Sequence, residues 1–480
     1  MKVAALCRTA IVVAVVSGYA AFVAGPALAQ SHAALSGYNA DISQSSISGI
    51  SSGGFMAVQF GTAWSSVIKG VGVVAGGPFW CAQADANDAF DAFSLPFLHA
   101  TGLCMSGQPL ADLNRFIGKA DAKSASGDID SLQGLSRQKI YVFHGYNDDK
   151  VAQSVTDATV AFYRHYLGGS NRGNLYYQTA IGAGHSLVVA EDPHSGGPNK
   201  CNVTASPFID ACGYDQAGVI LQHIYGPLNP PNRGQLKGTV KRFDQSIYTD
   251  PRDPSPLSLG ANGYVFVPGE CEDGAPCRVH IALHGCLQDA GEIDRRFIAE
   301  TGYNAWADTN RLIVLYPQTA VSWYLPYNPL ACWDLWGYVD QNDSYVTKSG
   351  SQIRTIKAML DALTARATPA VVPAPATDAA PTALTVVDTS DTSADLAWTP
   401  LAGAATYRIW RAGADGRFAA VAYTASPGYA DSDLSPRSAY RWHITAVVNG
   451  VEGPPSAKVS ATTRAAPPAC PHPGDCPIDK

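Results

Sequence analysis

Between residues 36 and 366, short β-rich apolar runs alternate with stretches whose apolar residues recur at helical spacing, the pattern of an α/β sheet protein. Val71 to Val74, Lys139 to Phe143, Val279 to Leu283 and Leu312 to Tyr316 are predicted as buried strands. Ile42 to Ile47 is predicted as a further strand, and Phe55 to Trp64 as a helix packed by Phe55, Val58, Phe60 and Trp64. Ile353 to Ala365 closes the region as a helix with Ile353, Ile356, Met359, Leu360 and Leu363 on one face. The pattern then breaks. Residues 367–381 are rich in Pro and Ala and read as an extended linker with no core of their own. Residues 382–464 alternate as strands with turn residues at regular intervals, and predict a small β-sandwich. Trp398, Tyr407 and Tyr440 are its expected core aromatics, and Asn449-Gly450 its hairpin turn. Residues 465–480 form a Cys/Pro-rich, loop-like tail.

Residues 1–29 stand outside this scheme. Lys2 and Arg8 precede an apolar run from Thr9 to Ala24, and Ala27-Leu28-Ala29 supplies a small-x-small cleavage site. That is the form of a secretory signal peptide cleaved after Ala29, leaving a catalytic region of 30–366. The mature chain is therefore expected outside the cytoplasm, in the periplasm or the medium. A length of 480 residues fits two or three domains, and the net charge of −7 argues against a nucleic acid or an anionic membrane surface as partner. No later stretch is long and apolar enough to span a bilayer.

Of the 11 cysteines, Cys7 goes with the leader; the other ten, an even number suited to an oxidising compartment, comprise four close pairs and Cys286 and Cys332, left for each other. The simplest assignment joins neighbours: Cys81 with Cys104, Cys201 with Cys212, Cys271 with Cys277, Cys286 with Cys332 and Cys470 with Cys476. No C-x-x-C repeat accompanies them, so no metal site is expected.

The chemistry centres on Gly49-Ile50-Ser51-Ser52-Gly53-Gly54, small residues between a predicted strand and a predicted helix. A strained turn of this kind exposes a serine hydroxyl at a helix N-terminus and aims the next amide, that of Ser52, at a developing oxyanion. Ser51 is therefore the candidate nucleophile. Its orienting acid is sought in His144-Gly145-Tyr146-Asn147-Asp148-Asp149, just past a strand, with Asp148 preferred and Asp149 as rival. Its base is sought in Gly182-Ala183-Gly184-His185-Ser186, giving His185, with His194 as competitor; His165 and His223 read as structural or exposed. Residues 279–288, V-H-I-A-L-H-G-C-L-Q, form a strand ending in a His-Gly turn, like the loop that supplies the second oxyanion-hole amide in esterases. That amide would be Cys286's. Because this loop follows the serine instead of preceding it, the expected fold is a circularly permuted α/β-hydrolase. A thiol nucleophile at Cys286 is the less economical reading, since Cys332 is available as its disulfide partner.

Taken in order, G-I-S-S-G-G-F, G-Y-N-D-D-K-V, G-A-G-H-S, L-H-G-C-L-Q, L-Y-P-Q and C-W-D-L-W-G-Y resemble the secreted poly(3-hydroxybutyrate) depolymerases. The likeness covers residues 37–365 and is to the circularly permuted catalytic domain of a fungal member of that family. It implies Ser51 as nucleophile, Asp148 as acid, His185 as base, Ser52 and Cys286 as oxyanion-hole amides, and no cofactor. It also implies that the Cys286–Cys332 bridge ties the oxyanion loop to the segment bearing Trp333, which would line the polymer groove; Trp336 has the more structural reading. Residues 382–464 resemble a fibronectin type III module, which in this family precedes a terminal substrate-binding domain. Residues 465–480 are too few for such a domain, so amorphous polymer, oligomers or another ester is the expected substrate. The rival expectations are an esterase for feruloyl or acetyl groups of plant walls, and a non-catalytic polymer-binding protein on a hydrolase scaffold.

Overall fold

Consecutive branched apolar residues favour strands covered on both faces, and the four such runs of the first region lie together in one sheet. A computed structural model describes residues 34–83, 95–107, 112–191, 197–250, 252–340, 342–366, 379–413, 416–448 and 451–466. The chain parts into two units between Arg366 and Ala367. The signal peptide, most of the linker, Asn449-Gly450 and Cys470–Cys476 lie outside the described residues.

The first unit is built on eight strands: β1 Ser45–Ile50, β2 Ile68–Val74, β3 Lys139–Phe143, β4 Leu175–Gln178, β5 Thr239–Asp244, β6 Asn262–Val267, β7 Arg278–Leu283 and β8 Leu312–Tyr316. Their order across the sheet is β4-β3-β2-β1-β7-β8-β6-β5. The pairings from β4 to β8 are parallel, and β6 and β5 add an antiparallel edge. The β5 edge carries exposed Thr239 to Arg242, polar apart from Val240, which discourages pairing with another chain. Helices α1 Ser52–Ala63, α2 Leu113–Ala125, α3 Gln153–Leu167 and α5 Ser351–Thr364 cover one face over Ile47, Val71, Ile140 and Ile281. Helix α4, Gln216–Tyr225, covers the other over Tyr141, Phe143 and Val74.

The central strand β1 has β2, the next strand in the chain, on one side and β7, some 230 residues later, on the other. A parallel sheet opens a crevice at the carboxyl ends of its strands where the chain direction diverges in this way. Two details depart from the sequence reading. Ile42–Gln44 is a 3₁₀ turn, because the Asp41 carboxylate accepts the Ser43 amide at 2.9 Å. Helix α1 starts at Ser52, and all twelve of its residues are buried, so it has no solvent face to betray it by periodicity.

Beneath the crevice, the polar side of β1 is satisfied by one buried network. His280 Nδ1 meets Ser46 Oγ at 2.7 Å and His280 Nε2 meets Ser48 Oγ at 2.8 Å. Tyr225 and Tyr303 hydroxyls complete it at 2.7 Å each. Burial pushes the His280 imidazole down to about 3, so it stays neutral and both nitrogens remain committed to the serines.

The second unit is all-β and antiparallel. One sheet pairs 382–389, 394–399 and 428–431; the other pairs 404–412 with 418–424 and 439–448, which in turn carries 451–452 and 459–462. Trp398 and Tyr407 enter its core as expected, but the largest fully buried residue is Trp442, and Tyr440 only packs against the core from a half-buried position. Among the described residues no helix is long and apolar enough to cross a membrane.

Candidate active site

The register of β1 against β7 sets the site. Gly49 lies opposite Leu283, so two residues further on Ser51 and Gly285 leave the sheet side by side. A Cβ at Gly285 would stand 3.2 Å from that of Ser51. The turn itself is tight: a Cβ at Gly49 would fall 2.2 Å from the Gly53 carbonyl, and one at Gly53 would fall 2.3 Å from the His284 carbonyl. Only glycine permits β1, α1 and the β7 loop to approach this closely. Ser51 has φ +55° and ψ −126°, a strained conformation for a residue with a side chain. Its amide donates to the Val74 carbonyl and its carbonyl accepts the Phe55 amide, holding it between strand and helix. The amides of the first turn of α1, that of Ser52 first, have no partner within the helix and give this end a partial positive charge.

Asp148 follows β3 at the same end of the sheet, and its side chain is fully buried. One carboxylate oxygen accepts the amides of Lys150 (2.9 Å) and Val151 (3.0 Å); the other meets His185 Nδ1 at 2.9 Å. Burial alone would raise this carboxyl. The His185 hydrogen bond and charge, with the Val151 and Lys150 amides, outweigh it and hold the group below the ordinary aspartate range. The imidazole therefore donates from Nδ1 and keeps Nε2 as its acceptor. The His185 backbone is tied down by its own amide, which donates to Thr204 Oγ1 at 2.9 Å. Asp149 points elsewhere: it is exposed and pairs with Lys150. His194 lies outside the described residues, His165 is exposed, and His223 Nε2 meets the Asn174 carbonyl at 2.8 Å.

The loop after β7 is braced from several sides. His284 is fully buried, and burial brings its imidazole down to about 4. Its Nδ1–H donates to the Gly285 carbonyl at 2.7 Å, and its Nε2 accepts the Thr319 amide at 3.2 Å. Gln288 accepts the Gly285 amide at 2.8 Å and donates to the carbonyls of Pro207 and Phe208. The Cys286–Cys332 disulfide and the Leu287 amide, donating to the Leu330 carbonyl, join this loop to residues 328–336. Cys286 is thus bridged and is no free thiol. The bridges Cys81–Cys104, Cys201–Cys212 and Cys271–Cys277 are formed as well.

Ser51, Ser52, His185 and Cys286 line one cavity of about 300 Å³. Its walls are otherwise mostly apolar: Phe55, Phe97, Met105, Phe208, Leu287, Leu330, Leu335 and Trp336 among them. Trp333 is not part of the wall, contrary to the sequence expectation. It is fully buried, and its indole N–H donates to the His284 carbonyl at 3.0 Å, so it supports the loop from behind. Trp336, read from sequence as the more structural of the two, is the one that faces the cavity, packed edge-on against Phe97 at 5.9 Å. The three-residue step arises because Asp334 gathers the intervening turn. Its carboxylate accepts the amides of Trp336, Gly337, Tyr338 and Val339. Burial and the charge of Asp340 raise that carboxyl to about 7 despite those donors.

Sequence reasoning did not single out Gln288, His284 or Asp334, although all three stand inside the motifs quoted above. A polar residue whose partners are backbone groups brought in by the fold leaves no spacing signature. The cavity itself suits attack on a carbonyl. A serine on a strained turn, an imidazole in the same cavity and a buried carboxylate on the far imidazole nitrogen are the parts of nucleophilic acyl transfer.

No protein-family model matches the chain. Over 425 residues it is 35% identical to the poly(3-hydroxybutyrate) depolymerase of Delftia acidovorans, covering 88% of this chain and 79% of that protein. Over 325 residues it is 38% identical to the polyhydroxybutyrate depolymerase of Talaromyces funiculosus, covering 64% of this chain and 86% of the relative. Among solved structures, the PHB depolymerase from Penicillium funiculosum superposes with a TM-score of 0.60 at 33% identity, over 69% of this chain and 99% of that one. A PHB depolymerase complexed with an R3HB trimer matches with the same figures.

Proposed function

Because the chain belongs to the poly(3-hydroxybutyrate) depolymerase family, we propose that it hydrolyses ester bonds of that polymer or its oligomers through Ser51, His185 and Asp148. It is a carboxylic ester hydrolase. The single observation that carries the residue assignment is the cavity that holds Ser51 and His185 together, with the buried Asp148 on His185 Nδ1.

The reaction proceeds in two acyl transfers. His185 Nε2 takes the Ser51 proton as the hydroxyl oxygen attacks the ester carbonyl. Amides of Ser52 and Cys286 receive the negative charge on the carbonyl oxygen. The imidazolium, steadied by Asp148, returns the proton to the departing alkoxide, and a hydroxyl-ended fragment leaves. Water, deprotonated by the same imidazole, then adds to the acyl-serine and releases the acid. The apolar walls suit a chain of methyl-bearing units that offers esters and no other polar groups.

The finer architecture is part of the same reading. Residues 30–366 are the catalytic domain, 367–381 a linker, 382–464 a fibronectin type III sandwich and 465–480 a tail. The antiparallel edge β5-β6 and the oxyanion strand β7 both follow the nucleophile strand in sequence, which supports a permuted α/β-hydrolase. Four disulfides and the leader-like residues 1–29 support export.

The testing experiment offers the purified protein amorphous poly(3-hydroxybutyrate) beside feruloylated and acetylated xylan. Release of 3-hydroxybutyrate and its short oligomers is expected, at a rate far above any release of ferulate or acetate. Cleavage of the xylan esters alone would end the polyester reading. The two tryptophans give a second check. Trp336→Ala should raise KM for soluble oligomers by about five- to tenfold, in addition to the stability lost with a side chain that also packs in the core. Trp333→Ala should cost about 3–5 kcal/mol of stability, measured by denaturant unfolding, with a smaller change in KM since Trp333 does not line the cavity.

A further inference from the structure

Among the described residues, the cavity wall holds two ionisable side chains, His185 and Lys150. A neutral polyester has no use for an ammonium group, and an apolar wall has no reason to keep one. The Lys150 side chain is 48% exposed, and its neighbour Asp149, 62% exposed, stands 3.5 Å from the ammonium. A pair so open to water is weak and leaves the ammonium available to a ligand. Its backbone is not loose. The Lys150 amide donates to one oxygen of Asp148, whose other oxygen holds His185.

That link places Lys150 on a definite side of the reaction. The imidazole hands its proton to the departing alkoxide, so the leaving fragment lies on the imidazole side of the scissile bond. In a linear hydroxyacid chain the fragment bonded through the ester oxygen is the one that runs on to the free carboxyl end. Hydrolysis breaks the acyl C–O bond with one water: the leaving fragment gains a hydroxyl and keeps its carboxylate, and the acyl fragment gains a new carboxylate. The terminal carboxylate, ionised at neutral pH, is the only charge such a chain carries. Resting on the polyester reading above, we infer that Lys150 is a specificity residue that receives this terminal carboxylate on the leaving-group side. Acid-ended oligomers are then bound by their ends and cut close to them.

The test compares the linear 3-hydroxybutyrate trimer as free acid with its methyl ester, scoring only internal cleavage by the masses of the products. The wild type should favour the free acid in kcat/KM by about three- to fivefold at low ionic strength, the scale of an exposed ion pair. Added salt should shrink that preference. In Lys150→Gln the ratio should fall to about one, and in Lys150→Glu below it. Because the ratio is taken on one preparation, any loss of folded enzyme cancels. No preference in the wild type, or the same ratio in Lys150→Gln, would overturn the inference while leaving the polyester reading intact. If the wild type cleaves neither trimer, the polyester reading fails and this inference with it.

Discussion

Ser51→Ala should lower kcat on soluble 3-hydroxybutyrate oligomers by about 10⁵- to 10⁶-fold while the protein melts close to the wild-type temperature. The substitution removes one oxygen at the cavity wall and leaves the turn intact. Alanine meets the same positive φ as serine, so the backbone strain is unchanged. Oligomers should still bind, because the apolar wall and the two oxyanion amides are untouched. Single-turnover kinetics and calorimetric binding on the same preparation separate the two effects. Residual activity above about one per cent would mean that another group attacks the ester. Loss of binding together with activity would mean that the turn had collapsed, and that the serine was structural.

The second large effect is expected at Asp148→Asn, with kcat reduced by about 10⁴-fold. Asparagine keeps an oxygen for the Lys150 and Val151 amides, so the loop survives. Its NH₂ group then faces His185 Nδ1, which must accept instead of donate. The imidazole is forced into the tautomer that carries its proton on Nε2, where it can no longer take one from Ser51. Asp149→Asn should change kcat by less than about twofold, since Asp149 is exposed and faces Lys150. Equal losses at the two positions would break the assignment. Stability carries a pH signature of its own. The folded Asp148 carboxyl is held below its ordinary range, so its stabilisation is complete above the unfolded value of about 4 and is lost as pH falls through the folded one. Asp148→Asn should therefore melt below the wild type at pH 7, and the gap should close in acid.

Much of the candidate site was legible in the sequence. Ser51, Asp148 and His185 stand in short motifs because each needs a particular backbone setting: a glycine-hemmed turn, the end of a parallel strand and a glycine-rich loop. The strands β2, β3, β7 and β8 were legible because full burial writes mostly apolar runs, whereas β1, Ser45–Ile50, is largely serine and glycine and was expected three residues early. The edges were not legible. β4 reads Leu-Tyr-Tyr-Gln and is only partly covered, and β5 exposes Thr239 to Arg242, so neither carries a pattern distinct from a loop. The Trp333 expectation failed for a related reason. Two tryptophans three residues apart look alike in sequence, and what decides between them is Asp334, whose carboxylate folds the turn through backbone amides that sequence does not mark. The cavity wall was equally silent, because Phe97, Met105 and Phe208 come from separate segments with no shared spacing.

The pairing of β1 with β7 also governs when the catalyst comes into being. Ser46 must wait for His280, 234 residues further along the chain, before the strand beneath Ser51 has its second neighbour. A polypeptide emerging N-terminus first therefore releases the candidate nucleophile early and the proposed oxyanion loop late. Until residues 278–283 have been made, the candidate serine stands on a strand that lacks one of its two neighbours and the loop beside it.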